Sequence, residues 1–457
     1  MKVITTTYFS DFARYFSIFQ DGFQVHVDHN ARFTNVAMYP CACREFSKRG
    51  KDYIFAGNIP KVKGSYSEKN DVSLIDELIQ FNDDALKLYD KNERRALVKR
   101  AIIYLNYFDQ LFEKEKFDLL VSSGDSRLLP QVVIYIAQQR GVKILYFEQG
   151  PFGTTIFDAQ GVNANVDFNP SLTALKAEEE KELDSYLKNW KLGGKIKYTD
   201  VEPRTIGDKL YTLLTYCYLY WIPLLRFVLP VDLSTGESLN WLIKGTISRL
   251  KFSSLSSSEA TLNVPSKPYI ALFLQVPVDA QLIQHSPHYK SFYKLITDVH
   301  TAIDGDMDIV VREHPHYIGR YDPRVYELIS SSNDIFLENN YRLNDFIENS
   351  ELCIVNNSTV GVEAIMQGKK VFAFGRAYYT NCGITYDFSG DISRLREQLN
   401  IALSSPSDEA KGRSFLHEFI FSYLYRGHFH DMYPSFDQGF FKSIMSLVNG
   451  STIRSRR

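Results

Sequence analysis

Three short apolar runs within residues 308–379 decide the fold of this chain. They read DIVV at 308–311, LCIV at 352–355 and KVFAF at 370–374, and each ends abruptly in polar or glycine residues. Between the last two runs lies VGVEAIM at 360–366, whose apolar residues favour a helix. Buried strands that alternate with helices predict a parallel sheet covered on both faces.

The polar residues that follow these runs predict a ligand site. Ligands of such sheets bind at the carboxyl ends of the strands, where the sequence places REHPH at 312–316 and NNST at 356–359. Free N–H groups and the helix dipole favour an anion at the start of the helix over 360–366. The hydroxyls of Ser358 and Thr359, with the amides before them, therefore indicate a phosphate-binding site.

The N-terminal part of the chain repeats the α/β pattern. A strand is predicted over 117–121, a helix over 130–140 and a strand over 143–147. The chain therefore carries two Rossmann-like halves. The sequence contains no G-x-G-x-x-G or Walker loop, which counts against NAD(P), FAD or ATP as a cofactor.

Two helical regions are predicted before the strand over 117–121. Residues 73–114 have the periodicity of amphipathic helices. Nearer the N-terminus, we expect a helix from Tyr8 to Phe19, a stop at Gly22 and a strand over 23–27.

Composition excludes some classes of protein. The 457 residues are 44% hydrophobic and 23% charged, as in an ordinary soluble protein. A formal net charge of −2 argues against a surface that coats nucleic acid. The five cysteines show no C-x-x-C pair and the N-terminus has no signal-peptide pattern, so we expect reduced thiols in the cytoplasm.

Residues 210–225 contain no charged residue. Sixteen residues fall short of the roughly 20 that a helix needs to span a bilayer. The tyrosines and Trp221 in this segment suit a membrane interface. We favour a helix buried between domains and leave open a peripheral contact with the inner membrane.

Segments of both halves resemble bacterial capsular polysaccharide transferases that move Kdo (3-deoxy-D-manno-oct-2-ulosonic acid) from CMP-Kdo. The matching pieces are QVPVD at 275–279, EHP at 313–315 and VNNSTVGVEA at 355–364. A looser match covers EQGPFG at 148–153 and GVNA at 161–164. The resemblance implies an α/β protein with two Rossmann-like domains in a GT-B-type arrangement and a helical insertion.

The resemblance gives a role to each of four regions. Residues 1–170 would form a Rossmann-like acceptor domain and residues 171–262 a helical insertion and linker. Residues 263–400 would form the Rossmann-like domain that binds the CMP-sugar. Residues 401–457 would form a helical crossover region.

The resemblance also implies how the donor binds. His314 and Pro315 would contact the CMP phosphate, while Ser358 and Thr359 would hold the nucleotide. Other donor-binding residues are expected at the same strand ends, namely Gln275, Arg312, Asn357 and Arg376. Arg376 and Arg320 could pair with the Kdo carboxylate or be ordinary solvated side chains, and the alternative for His314 is a structural histidine that caps a loop.

Two carboxylates are expected to carry the chemistry. CMP-Kdo is a β-glycoside and the resembled enzymes make β-linkages, so configuration is retained and a carboxylate nucleophile is required. Asp279 stands where the family has that nucleophile. Glu148, from the other half, would deprotonate the acceptor hydroxyl across the cleft, unless it is a loop carboxylate that accepts backbone N–H bonds.

We expect a metal-independent site and no cofactor besides the donor substrate. The one D-x-D pair, Asp304 and Asp306, precedes a strand, and we interpret it as a solvated turn. Cys41 and Cys43 have no second cluster with which to bind a metal.

The expected function is that of a retaining glycosyltransferase that moves β-Kdo from CMP-Kdo to a capsular or surface-glycan acceptor. Its partners would be a CMP-sugar donor and a glycan or glycolipid acceptor, with no nucleic acid. One alternative is a transferase for another CMP-activated nonulosonic or sialic-type sugar. The other is a non-catalytic glycan-binding component of capsule assembly.

Overall fold

A computed structural model describes residues 1–193, 205–220, 225, 228–237, 268–303, 305, 307–431, 434 and 436–450. The described residues pack into two compact units. The first unit combines Met1–Asp167 with residues of Lys195–Leu239 and Phe421–Arg457, and the second combines Phe168–Gly194 with residues of Asn240–Ile420. Each unit contains one sheet, so the expectation of two Rossmann-like halves is confirmed.

The first unit is built on a seven-stranded sheet with the strand order β13-β6-β5-β4-β1-β2-β3. Its strands are β1 (Lys2–Thr7), β2 (Arg32–Ala37), β3 (Tyr53–Phe55), β4 (Leu119–Ser123), β5 (Lys143–Gln149), β6 (Thr154–Asp158) and β13 (Tyr425–Arg426). Strands β1 to β5 run parallel, whereas β6 and β13 pair antiparallel at one edge. Its helices are α1 (Ser10–His26), α2 (Pro40–Lys48), α3 (Val72–Lys87), α4 (Arg94–Glu115), α5 (Leu128–Gln139), α7 (Ile206–Tyr220) and α15 (Gln438–Val448).

The second unit is built on a six-stranded parallel sheet with the order β12-β11-β10-β7-β8-β9. Its strands are β7 (Tyr269–Phe273), β8 (Asp308–Arg312), β9 (Ile335–Leu337), β10 (Ser350–Val355), β11 (Val371–Ala373) and β12 (Tyr386–Asp387). Its helices are α6 (Ala177–Gly193), α8 (Ala280–His285), α9 (Phe292–Ile303), α10 (Pro323–Ser331), α11 (Leu343–Glu348), α12 (Val360–Met366), α13 (Leu395–Ser404) and α14 (Glu409–His417).

The central strands explain why these sheets are covered on both faces. β4 in the first unit and β7 in the second are buried at every residue. Parallel strands of this kind need apolar or hydrogen-bonded side chains on both faces because helices cover both. The three apolar runs that opened the sequence analysis become β8, β10 and β11, in agreement with the prediction.

The strand predicted over 23–27 is wrong, because α1 continues without a break to His26. Gly22 lies inside this helix, where a Cβ atom would come 2.8 Å from Cε2 of Phe441 on α15. Glycine therefore allows α15 to pack closely against α1 and does not end the helix. Phe23 packs edge-to-face on Phe441, so it is a helical core residue.

The described residues of the predicted insertion over 171–262 are divided between the units, with α6 in the second and α7 in the first. One face of α7 is fixed to α2: the Cys41 N–H donates to Thr215 Oγ1 at 3.0 Å, and Arg44 pairs with Asp208. On another face, leucines are exposed, with Leu213 at 60%. The expectation of a buried helix is therefore wrong. Among the described helices, none is both long and apolar enough to cross a membrane.

The last described segment of the chain belongs to the first unit. β13 pairs with β6 through Tyr425 and Thr155, and α15 packs against α1. Aromatic rings fill this contact, with Phe147 and Phe157 of the sheet in one buried cluster with Phe441. The strand β13 and the helix α15 therefore complete a core that begins at the N-terminus.

Candidate functional site

Three neighbouring strands of the second unit bring most of the predicted donor-binding residues to one edge. β10, β7 and β8 are adjacent and parallel, so their carboxyl ends lie together. Asn357 follows β10, Gln275 follows β7, and Arg312 is the last residue of β8. The structure therefore places these three residues at one edge of the sheet, where the sequence predicted a ligand site.

Gln275 and Asn357 join the ends of β7 and β10 by two hydrogen bonds. Gln275 Nε2 donates to Asn357 Oδ1 at 2.9 Å, and the Asn357 N–H donates to Gln275 Oε1 at 3.1 Å. Asn357 Nδ2 then donates to the carbonyl of Gln281 at 2.7 Å. Both amide side chains are buried, so they fix the position of α8 relative to the strand ends.

Asp279 is the N-cap of α8 and its Oδ1 accepts the Gln281 N–H at 3.0 Å. Its side chain is exposed. The surrounding protein raises the pKa of the carboxyl, and the Gln281 N–H lowers it. The cap thus engages Oδ1 of the two carboxylate oxygens.

His314 lies in the loop after β8 and is half-buried. Burial and the neighbouring His316 lower the pKa of its imidazole, so the ring is neutral near pH 7. Its Nδ1 accepts the backbone N–H of His316 at 3.3 Å. A neutral ring that accepts at Nδ1 carries its proton on Nε2, which makes Nε2–H a hydrogen-bond donor.

Glu313 holds the loop that carries His314. Its Oε1 accepts the Gly319 N–H at 2.9 Å and the Tyr326 hydroxyl, and its Oε2 accepts Asn339 Nδ2 at 2.6 Å. The His314 N–H itself donates to the Tyr321 hydroxyl at 3.1 Å. The buried carboxylate is thus a structural anchor, and the imidazole sits on a rigid loop.

Glu363 lies near both Arg312 and Tyr378, and the sequence indicated neither Glu363 nor Tyr378 as a site residue. Burial raises the pKa of Glu363 to about 7, and the Arg312 guanidinium partly opposes that shift. Glu363 in turn adds to the raised pKa of Tyr378. Arg312 Nη1 and the Tyr378 hydroxyl are buried without a hydrogen-bond partner among the described residues. Glu363 belongs to the segment VNNSTVGVEA at 355–364, but nothing in the spacing of that segment indicates that its side chain is half-buried.

The remaining predicted donor residues have simpler surroundings. Ser358 Oγ accepts the Val360 N–H at 3.3 Å, while Thr359, Pro315 and Arg376 are exposed. The backbone is crowded here: a Cβ at Gly361 would come 2.6 Å from the Tyr379 ring, and one at Gly375 would come 2.8 Å from the His285 carbonyl. Arg320 is half-buried on the loop that follows His314.

Glu148 lies in the first unit, inside β5 rather than after it, where it pairs with Ile156 of β6. The prediction that the strand ends before Glu148 is therefore wrong by two residues. Its Oε1 accepts the Gln149 N–H at 2.8 Å. Its charge contributes to the raised pKa of Tyr8, so the two side chains lie near the carboxyl ends of β1 and β5.

The GVNA segment at 161–164 is held by two carboxylates of the first unit. Asp125 Oδ2 accepts the Val162 N–H at 3.3 Å and Asn165 Nδ2 at 3.0 Å. Asp158 Oδ1 accepts the Gly161 N–H at 3.3 Å. This loop, like the loop after β8, is fixed by buried carboxylates.

The part of the chain that the structure describes holds no group of three or more His, Cys, Asp or Glu side chains placed to bind a metal ion. Asp304 and Asp306 lie outside the described residues. All five cysteines are free, in agreement with the prediction, and Cys41, Cys43 and Cys353 are buried.

These observations define an α/β protein of two Rossmann-like units with a polar site at the strand ends of the second. A family described as "Capsule polysaccharide biosynthesis protein" matches residues 118–404. Because this match covers more than half of the sequence, the chain belongs to that family.

Two curated relatives are similar over parts of the chain. Protein FixF of Sinorhizobium fredii is 29% identical over 167 residues, which are 35% of this chain and 39% of that protein. The capsule polysaccharide modification protein LipA of Neisseria meningitidis serogroup B is 22% identical over 160 residues, 35% of this chain and 23% of that protein. The chain thus spans well under half the length of both relatives.

Solved structures give weaker similarity. Thermosulfurimonas dismutans KpsC, β-Kdo 2,4 transferase, has 13% identity and a TM-score of 0.37, over 66% of this chain and 79% of that one. The β-Kdo 2,7 transferase of the same protein has 17% identity and a TM-score of 0.33, over 65% and 79%.

The Glu363 carboxyl predicts a pH dependence of stability. Its pKa is about 7 in the folded protein, against an ordinary value of 4.5. The folded state therefore holds one more proton than the unfolded state between these values, and the free energy of unfolding falls as pH rises from about 4.5 to 7. Because glutamine does not titrate, Glu363→Gln should make this fall in the free energy of unfolding smaller by on the order of 1–3 kcal/mol.

The measurement is the free energy of chemical unfolding of the wild type and of Glu363→Gln, each at pH 5 and at pH 8. The change between the two pH values should be larger in the wild type. The exposed Glu327 supplies a control: Glu327→Gln should keep the slope of the wild type. A Glu363→Gln protein whose pH slope equals that of the wild type would contradict the assignment of a buried proton to Glu363.

Proposed function

We propose that this chain is a retaining glycosyltransferase that moves β-Kdo from CMP-Kdo to a capsular or surface-glycan acceptor. Membership of a capsule polysaccharide biosynthesis family supports the acceptor class. The observation that carries the proposal is the hydrogen-bonded set Gln275–Asn357–Gln281, which ends at an exposed Asp279 beside the strand end that carries His314.

In the donor complex, His314 supplies a neutral hydrogen-bond donor to the CMP phosphate. Nδ1 is engaged by the His316 N–H, so Nε2–H is the group left for a ligand. Ser358 and Thr359 add hydroxyls at the start of α12, with Arg312 and Arg376 as cations at neighbouring strand ends. Fixed donors and cations of this kind can stabilise a departing phosphate without a metal ion.

The chemistry takes two displacements. Asp279 Oδ2 attacks the anomeric carbon, the bond from that carbon to the CMP oxygen breaks, and a glycosyl ester forms as CMP leaves. In the second step Glu148 takes the proton of the acceptor hydroxyl. The oxygen of that hydroxyl attacks the same anomeric carbon, and the ester bond to Asp279 breaks. Two inversions give net retention. Gln275, Asn357 and Pro315 shape the site around the donor.

The first test concerns the nucleotide. His314→Ala should weaken CMP binding by on the order of 1–3 kcal/mol, because it removes a donor to a charged group. Calorimetric titration with CMP measures the loss. His300→Ala is a suitable control because His300 pairs with Asp334 on another part of the unit. Equal CMP affinity in the His314→Ala protein and the wild type would refute the phosphate contact.

The second test separates the two carboxylates. Wild-type protein given CMP-Kdo without acceptor should hold one Kdo on the peptide that contains Asp279. Asp279→Asn should bind CMP-Kdo yet form no adduct, since an amide cannot form the ester. Glu148→Gln should form the adduct and accumulate it in the presence of acceptor, because only the second step needs the base. Intact-protein mass spectrometry measures all three.

Asp322 provides a matched control for Asp279. It also caps a helix, by accepting the N–H of the residue two positions later, Arg324. Asp322→Asn should therefore retain transfer, which separates the loss of a cap from the loss of a nucleophile. Transfer at near wild-type rate by Asp279→Asn would exclude double displacement through this residue, and an adduct mapped to Glu148 would reverse the roles.

We further propose that the protein contacts the inner membrane through α7. Leu210 at 52%, Leu213 at 60% and Tyr216 are exposed at intervals of three residues, and Lys209 adds a cation beside them. An apolar face with a tyrosine and a lysine suits the surface of an anionic bilayer. The acceptor would then be a glycolipid held at that surface.

Flotation with vesicles of phosphatidylethanolamine and phosphatidylglycerol tests this contact. Leu213→Glu should lower the bound fraction several-fold, because it places a charge in the apolar face. Ile401→Glu changes an exposed apolar residue of the second unit, at 47%, and should leave binding unchanged. Equal flotation of all three proteins would remove α7 from the membrane contact.

A further inference from the structure

Arg127 lies at the strand ends of the first unit, between β4 and α5. Its guanidinium carbon is 6.0 Å from the ring centre of Tyr8 and 5.8 Å from that of Phe81. Its Nη1 donates to the Tyr39 hydroxyl at 3.4 Å. The guanidinium is therefore half-buried among aromatic rings, an arrangement that favours its planar, weakly hydrated charge.

Arg127 has no carboxylate within ion-pair distance among the described residues. Six other arginines of the same unit each pair with at least one carboxylate: Arg14, Arg44, Arg49, Arg94, Arg100 and Arg140. A half-buried cation loses part of its hydration, so it normally gains a counter-ion in return. At Arg127 that counter-ion is absent from the described protein.

The nearest acidic side chain in sequence is already engaged. Asp125 accepts the Val162 N–H and Asn165 Nδ2 through Oδ2, and the Ser126 hydroxyl through Oδ1 at 3.1 Å. These bonds fix the GVNA loop, and neither oxygen of Asp125 is within ion-pair distance of Arg127. The first N–H of α5, on Leu128, is likewise capped within the protein by another side chain.

Arg127 follows β4, and the proposed acceptor base, Glu148, lies near the end of the neighbouring strand β5. The Arg127 guanidinium opposes, and the Glu148 carboxylate adds to, the raised pKa of the same Tyr8 phenol. Phe9 stacks on Tyr39 with ring centres 5.0 Å apart and planes 4° apart, and it is partly exposed. An aromatic surface, a cation and a carboxylate thus meet at one sheet edge of the first unit.

We propose that Arg127 binds an oxyanion, a carboxylate or a phosphate, on the acceptor molecule. That the ligand is the acceptor follows from the proposed function, whereas the anion contact itself is argued from the first unit alone. A guanidinium binds either oxyanion through two parallel N–H···O bonds, and the surrounding rings exclude water and strengthen that contact. Arg127 would thereby select acidic acceptors and orient the hydroxyl toward Glu148.

Direct binding to the full chain tests this inference without CMP-Kdo. The probes are a methyl glycoside of Kdo for a carboxylate, glucose 1-phosphate for a phosphate and methyl glucoside as a neutral sugar. Calorimetry would compare wild type with Arg127→Gln, Arg127→Lys and Arg140→Gln. The last is a matched control, because Arg140 follows the other end of α5 and is paired with Asp109 and Glu113.

Wild type should bind at least one anionic probe, and Arg127→Gln should weaken that binding by at least about tenfold. Arg127→Lys should retain part of the affinity as a point charge, and Arg140→Gln all of it. The preferred probe then tells whether the anion is a carboxylate or a phosphate. A protein that binds the anion but fails to transfer Kdo would keep this assignment and lose only the proposed sugar chemistry.

Three results would overturn the inference. One is an absence of binding of either anionic probe to the wild type. Another is unchanged affinity in Arg127→Gln. The third is an equal loss of affinity for methyl glucoside, which would show that the side chain only supports the fold. If Arg127→Gln does not fold, Arg127→Lys decides the question, since it keeps the charge and removes the bidentate contact.

Discussion

The paired hydrogen bonds between Gln275 and Asn357 are the constraint on which the second unit's site depends. Two buried amides at the ends of adjacent strands must satisfy each other, because water does not reach them. The remaining Asn357 donor then fixes the carbonyl of Gln281, and with it the short helix that Asp279 caps. Loss of the Gln275–Asn357 hydrogen bonds would leave buried donors unsatisfied, at a cost of about 1–3 kcal/mol each. The Asp279 carboxylate would then no longer be held in position.

The two units use different electrostatic means at their strand ends. In the second unit the strand ends carry a neutral imidazole and an exposed carboxylate, and Arg312 lies next to the protonatable Glu363. In the first unit a cation stands among aromatic rings with no partner carboxylate in the described residues. A ligand at the second unit would therefore meet neutral donors as well as the Arg312 and Arg376 cations, whereas one at Arg127 would meet a single fixed positive charge.

The sequence was sufficient where burial alone decides structure and insufficient where long-range packing does. Apolar runs predicted β8, β10 and β11, and they also predicted β4, which begins two residues later than expected. Gly22 was mistaken for a helix stop because its partner, Phe441, lies far along the chain. The exposed face of α7 and the half-buried position of Glu363 depend on contacts with residues that are distant in the sequence. The local spacing of apolar residues does not reveal such contacts. Asp279 and His314 are at strand ends as predicted, and their chemical roles stay predictions.

The return of residues 421–448 to the N-terminal core has a consequence for how the protein is made. Strand β13 and helix α15 cover Phe19 and Phe157, which the ribosome releases hundreds of residues earlier. Until the last segment emerges, one edge of the first sheet stays unpaired and an aromatic surface stays open to water. The second unit draws its sheet from a single contiguous stretch and can close first. Synthesis therefore leaves the first-made half as the last to be finished, and a nascent chain that stalls before residue 421 is a natural client for chaperones that bind exposed aromatic residues.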